Sequence, residues 1–201
     1  LPSSSSHALV GALCGVAVVV SGSGGVRWGF AELFQRHQLV GLTKVLATLV
    51  LSPVAGFLAG YSTHAIARRL LRRASPPVNR PIKLLQIAGT AFMAFSHGAN
   101  DAQKSMGVLT LVLVLAGRLD RFAVPLWVVL LCASVMTAGT LVGGWRIVRT
   151  LGFGVYRLRP LHALDVQIAS GAVIYGSALF GGPVSTTHVV GSAIMGVGAS
   201  E

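Results

Sequence analysis

Two short stretches of this sequence hold most of its reactive chemistry. Phe95–Gly107 reads FSHGANDAQKSMG, and Gly181–His188 reads GGPVSTTH. The first places His97, Asn100, Asp101, Gln103 and Lys104 between strongly apolar runs. An amide, a carboxylate and an ammonium so close together form a set that can hold an ion. An aspartate at the centre of a bilayer costs about 2.5–3.5 kcal/mol on insertion scales, so it is retained where it faces a cavity, an ion or a partner. Gly98 and Ala99 let the backbone leave a helix at low steric cost. The stretch is therefore expected to be a discontinuous helix, one half ending near Ser96 and the next beginning near Ala102. Unwound carbonyls with a carboxylate suit a small cation. The free N–H groups of the second half, carrying about half a positive charge, suit an anion. The plainer alternative is that Lys104 neutralises Asp101, or that Asp101 is buried and protonated.

In the second stretch Pro183 suits the start of a helix. Ser185, Thr186 and Thr187 then place three hydroxyls beside the new N–H groups, with no carboxylate nearby in sequence. That combination suits a phosphate-like oxyanion. The alternative is that these residues only cap the helix and bond carbonyls one turn back.

The surroundings are those of a membrane protein. The chain has 201 residues, 53% hydrophobic and 10% charged, with mean hydropathy +0.75; a soluble domain carries about 25% charged residues. Net charge is +11, from 16 Lys and Arg against 5 Asp and Glu. In a soluble protein that balance would suggest nucleic acid. Here the basic residues lie between apolar runs, so they speak for topology and a lipid bilayer, with no nucleic-acid partner. Cys14 and Cys132 both sit in apolar segments and suit small core positions, with neither a disulfide framework nor metal spacing.

A crossing needs about 20 apolar residues. Residues 39–71 and 122–143 meet that length, whereas 7–20, 82–95, 105–116, 166–180 and 184–199 are short. Two ordinary spans thus alternate with short apolar pieces broken by polar, glycine-containing motifs. Arg68, Arg69, Arg72, Arg73, Arg80 and Lys83 make one basic loop, and Arg146, Arg149, Arg157 and Arg159 a second, offset by Asp165. The loops 27–37 and 117–121 are nearly balanced. The positive-inside rule puts the basic loops in the cytoplasm, provided that residues 82–116 cross once as a broken helix. The segment around Trp145 and Tyr156 is expected along the cytoplasmic interface. Gly139, Gly143, Gly191 and Gly196 are expected as helix-packing sites.

The chain also repeats itself. PSSSSHALVGALCGVA, from Pro2, aligns without gaps with PVSTTHVVGSAIMGVG, from Pro183. Ser4, Ser5 and Ser6 then match Ser185, Thr186 and Thr187, and His7 matches His188. Two copies of an intramembrane motif suggest two structural repeats. The first copy begins at the very start of the chain, without the HGAND-type partner that precedes the second. The chain is therefore expected to be a fragment of one transmembrane domain. Residues 1–20 would end the first repeat, 21–81 connect, and 82–201 form the second. Such a fragment is not expected to transport alone.

Other chemistries fit less well. No two of His7, His97 and His188 stand four apart, so a metal site with Asp101 lacks the usual spacing; hydrogen bonding to carbonyls or proton shuttling suits them better. Ser96, His97 and Asp101 have the residue types of a hydrolase triad, but they crowd together in sequence and G-x-S-x-G is absent. The chain does not read as an enzyme.

Together the HGAND and STTH motifs closely resemble those of the inorganic phosphate transporter (PiT) family, over essentially the whole chain. The resemblance implies an all-α, polytopic membrane protein with discontinuous half-helices, part of an inverted-repeat transporter. It implies symport of inorganic phosphate, driven by protons or sodium, with phosphate sometimes carried as a neutral divalent-metal complex, and no bound cofactor. Asn100 and Asp101 would sit at the phosphate and cation site. Ser185, Thr186 and Thr187 would contact phosphate from one repeat, and Ser4, Ser5 and Ser6 from the other. His97 and Lys104 would join Asp101 in coupling, Lys104 either neutralising phosphate or pairing with Asp101. The location would be the inner (cell) membrane, multi-pass, with a homodimer as the assembly to consider. Transport of another oxyanion such as sulfate, or a passive channel, are the competing readings.

Overall fold

A computed structural model describes residues 4–36, 38–72, 79–154 and 159–201. Pro2, Arg73, Tyr156 and Arg157 fall outside these, as do the side chains of Arg80, Trp145, Arg146 and Arg149. The helices are α1 (Ser5–Ser21), α2 (Phe30–Arg36), α3 (Gly41–Leu70), α4 (Asn79–Leu115), α5 (Leu126–Gly154), α6 (Pro160–Leu179) and α7 (Thr186–Ala199), with a short 3-10 turn at Ser23–Gly25. No strand occurs among the described residues.

The two expected full spans are present. Gly41–Leu70 and Leu126–Gly144 are long and apolar enough to cross a membrane, with mean hydropathies of 1.8 and 2.0. Both keep large side chains outward, Val50 and Leu58 on α3 and Leu130 and Val142 on α5. That surface suits lipid. Pro53 lies inside α3, a position membrane helices tolerate because neighbouring groups satisfy the freed carbonyl. Before α3, Arg27 reaches Glu32 in the first turn of α2 at 3.1 Å. The Glu32 carboxyl is held below its usual range, first by its own backbone N–H and then by Arg27.

The expected break in the HGAND stretch is not there. α4 runs unbroken for 37 residues, through Ser96, Gly98 and Ala102. The physical reason is that Asn100 and Lys104 find partners on Val184 and Ser6, and His97, Asp101 and Lys104 pair with one another along α4, so no carbonyl of this helix has to be freed. Gly98 faces open space and makes no turn. The discontinuity lies instead between α6 and α7, at residues 180–185, where Gly181 takes φ 64°.

α6 and α7 form a hairpin laid against α3. Near the start of α3, Lys44 Nζ donates to the Phe180 carbonyl at 2.8 Å. Near its end, Arg68 donates to the carbonyls of Ser200 and Glu201 at 2.9 and 2.6 Å. α7 therefore runs parallel to α3, and a cation satisfies its C-terminal carbonyls. α4 runs alongside α6, joined by Gln86 to the Pro160 carbonyl and Gln167 to Thr90. The core between these helices is built from Val166, Ala193 and Val197 at one level and Ile174, Val184 and Val189 at another.

The α3–α7 seam depends on small residues. Gly56 and Gly60 form a G-x-x-x-G face on α3, the pattern that lets backbones meet closely. A Cβ on Gly60 would strike the Ala193 backbone, and one on Gly196 would strike the Phe57 carbonyl. A methyl group at Gly139, Gly143 or Gly191 would meet nothing within 4 Å, so of the four glycines expected to pack only Gly196 does. Gly196→Val should force the helices apart and lower the stability of the purified protein by about 1–3 kcal/mol, read as a lower melting temperature in detergent. Gly198→Ala, which meets nothing within 4 Å, should leave it unchanged or slightly higher.

Candidate functional site

The hairpin tip is short, non-helical and set among helices, so its backbone groups must find partners there. The Val184 carbonyl accepts from three side chains: Asn100 Nδ2 at 3.2 Å, Lys104 Nζ at 3.0 Å and Ser6 Oγ at 3.0 Å. The Val184 N–H points back to Asn100 Oδ1 at 3.5 Å. Asn100 thus reads both backbone groups of one residue from another helix, and it is almost fully buried.

Lys104 uses all three of its donors. They go to Ser6 Oγ at 2.7 Å, Asp101 Oδ1 at 2.9 Å and the Val184 carbonyl. Asp101 Oδ1 also accepts from Asn100 at 3.0 Å, and Asp101 Oδ2 faces His97 Nε2 at 3.4 Å. Lys104 therefore pairs with Asp101 and at the same time bridges to α1. His97 and Asp101 meet because they stand one turn apart on an unbroken helix, a contact that the expected break at this stretch hid.

The two copies of the repeated motif meet here. Ser4 caps α1 with φ −94° and ψ 106°, and Ser185 stands at the start of α7 with φ −87° and ψ 105°. These are matched positions with matched backbones. The Ser4 hydroxyl accepts from the His7 N–H at 3.3 Å, whereas the Ser185 hydroxyl makes no such cap. The rings of His7 and His188 lie 5.3 Å apart. Two helix starts thus converge beside one ammonium, a positive field opposed locally by Asp101.

A recess of about 180 Å³ opens at this point, lined by Asn100, Gln103, Lys104, Gly181, Gly182 and Pro183. Of the residues expected to bind, Asn100 and Lys104 line it. Asp101 and Ser6 touch Lys104 directly. Ser185 and Thr186 are buried and Thr187 half-buried at the start of α7, and Ser5 is exposed outside the cluster. Nothing in the sequence announced Lys44 or Thr48. Lys44 ties down the tip, and Thr48 packs where a Cβ on Gly182 would sit. Among the described residues no group of three His, Cys, Asp or Glu could hold a metal ion.

Comparison with known proteins decides the family. A model described as the phosphate transporter family matches residues 1–80 and 72–201. The chain belongs to the phosphate transporter family. Two relatives named "probable low-affinity inorganic phosphate transporter", from Bacillus subtilis and Rhizobium meliloti, are each 36% identical over 203 residues, all of this chain and 58% of theirs. A relative of the same name from Mycobacterium tuberculosis is 36% identical over 204 residues, again the whole chain, and 46% of its own length is covered. The chain thus spans about half the length of the curated relatives it matches. These relatives are named as transporters, not enzymes. A solved structure titled "The sodium-dependent phosphate transporter" shares the fold, with TM-score 0.78 and 20% identity over all of this chain and 65% of its own.

In this family chain Asn100→Ala removes the partner of the Val184 N–H and one of the three donors to its carbonyl. Unsatisfied buried groups cost about 1–3 kcal/mol. Amide exchange in peptides from 180–190 should quicken, while peptides of α5 stay unchanged.

Proposed function

We propose that this chain forms part of a secondary transporter of inorganic phosphate, a multi-pass protein of the inner membrane coupled to protons or sodium. The observation that carries the reading is the convergence of two hydroxyl-bearing helix starts, one from each copy of the repeated motif, on Lys104 and Asp101. Phosphate would enter the recess beside Asn100 and Lys104, with Ser185, Thr186 and Thr187 at the start of α7 and Ser4 and Ser6 at the start of α1 contributing hydroxyls; Ser5, outside the cluster, would join only if α1 turned. Alternating access would come from one repeat moving against the other.

The geometry also suggests how cation and anion are coupled. Lys104 has no donor to spare, so an anion must draw it away from Asp101 or Ser6. Asp101 would then stand partly buried without its ammonium. Uncompensated charge in such a place is costly, so a sodium ion or proton, with His97 alongside, would take the place of Lys104. Anion and cation would in this way favour each other's binding. Carriage of phosphate as a neutral metal complex would meet the same demand.

Asp101→Asn in the whole transporter should cut gradient-driven phosphate uptake into vesicles at least tenfold; unchanged coupled uptake would remove Asp101 from this role. Labelled phosphate uptake should resist excess sulfate, and strong competition would favour a general oxyanion carrier. Uptake indifferent to collapsed ion gradients would favour a channel. For topology, a cysteine at Asp120 in a Cys14- and Cys132-free background should react with an impermeant maleimide from outside, and one at Arg72 should not.

A further inference from the structure

The function proposed above leaves one buried ionisable cluster unused. On α3, His64 is 3% exposed, and on α6, Asp165 is 2% exposed. They meet at 2.7 Å, Nδ1 to Oδ2, across 101 residues of sequence. The cluster continues on both sides. The His162 ring stands edge-on to His64, with centroids 4.8 Å apart and planes at 86°. His162 Nε2 lies 3.1 Å from Glu201 Oε1. The recess is elsewhere: Thr48, which packs on Gly182, is 16 residues before His64, roughly 24 Å along the helix.

We infer that His64 and Asp165 form a proton-binding site of their own, which fastens the α6–α7 hairpin to α3 when occupied and loosens it as the pH rises. A neutral imidazole beside a buried carboxylate leaves one uncompensated negative charge. One added proton makes an imidazolium–carboxylate pair, with a charge-assisted bond across the seam. Loss of that proton weakens the bond and returns the buried charge. Histidine is the side chain that makes this change at ordinary pH. For stability alone an apolar pair of similar volume would serve as well or better, so the pair suits a seam that must open.

The groups facing the pair come from each packed element. α3 adds Arg68, held on the carbonyls of Ser200 and Glu201. Arg159, at the cap of α6, supplies further positive charge, and His162 a second imidazole. Glu201, after α7, supplies the second carboxylate. α4 contributes the uncharged Gln86, on the Pro160 carbonyl. With His162 edge-on to it, a second imidazolium would be repelled, so the cluster takes up a single proton. That proton acts on the hairpin as a body, far from the anion.

The test is amide exchange on the whole transporter in nanodiscs, from pH 5.5 to 8.5, corrected for the intrinsic rate. Peptides of α6 and α7 should lose at least tenfold protection as pH rises, while those of α5 do not. His64→Gln, which keeps a donor but cannot charge, should abolish that dependence. In uptake assays it should move the pH profile by at least one unit while changing KM for phosphate less than threefold. Hairpin protection that is flat with pH in the unmodified protein overturns the site, as does His64→Gln with the unmodified protein's dependence. If His64→Gln does not fold, Asp165→Asn and the exchange of the unmodified protein decide. The exchange readout needs no phosphate, so it stands or falls independently of the transport reading.

Discussion

The structure turns on one carbonyl, that of Val184. A chain that leaves helical geometry among apolar helices carries backbone groups that water does not reach, and each must be paired within the protein. At the tip between α6 and α7, Gly181 and Gly182 bond back to Ala178 and Ser177. The Phe180 carbonyl goes to Lys44, and the Val184 carbonyl gathers Asn100, Lys104 and Ser6. Asn100 and Lys104 of α4 therefore complete the backbone of the tip.

The same bonds set the electrostatics. Once Lys104 holds the tip it also stands between Asp101 and Ser6, so the charge that would attract an anion is engaged by the group that would hold a cation. In the proposed site, an ion bound at one of these groups would disturb the place of the other. The hairpin's far end is held differently, by Arg68 on the carbonyls that follow α7 and by the buried His64–Asp165 pair. Between the two ends the close α3–α7 seam, with its glycines at 56, 60 and 196, keeps the hairpin straight against its neighbour.

Much of this was legible in the chain itself. Residues 39–71 and 122–143 were long enough to span, and α3 and the apolar first part of α5 lie on them. The alignment of Ser4 with Ser185 anticipated two helix starts of one geometry. Asn100, Asp101 and Lys104 stood out because polar groups in hydrocarbon need a reason. The break was misplaced for the same cause: polar residues next to glycine suggest an unwound helix, but they serve equally as side-chain partners for a break elsewhere. The G-x-x-x-G at Gly56 and Gly60 packs on α7, whereas the same spacing at Gly139 and Gly143 meets nothing, so spacing alone did not tell a packing face from an open one.

The sequence by itself determined the solvent, the class and the family, because hydropathy, charge placement and short motifs are local properties. Only the tertiary structure decided who pairs with whom. Lys104 could have served Asp101 or an anion, and its three donors turned out to be shared among residues 98, 80 and 3 positions away. His64 and Asp165 lie 101 positions apart with no shared motif. Helix packing brings such groups together, and no spacing along a chain records which faces will meet.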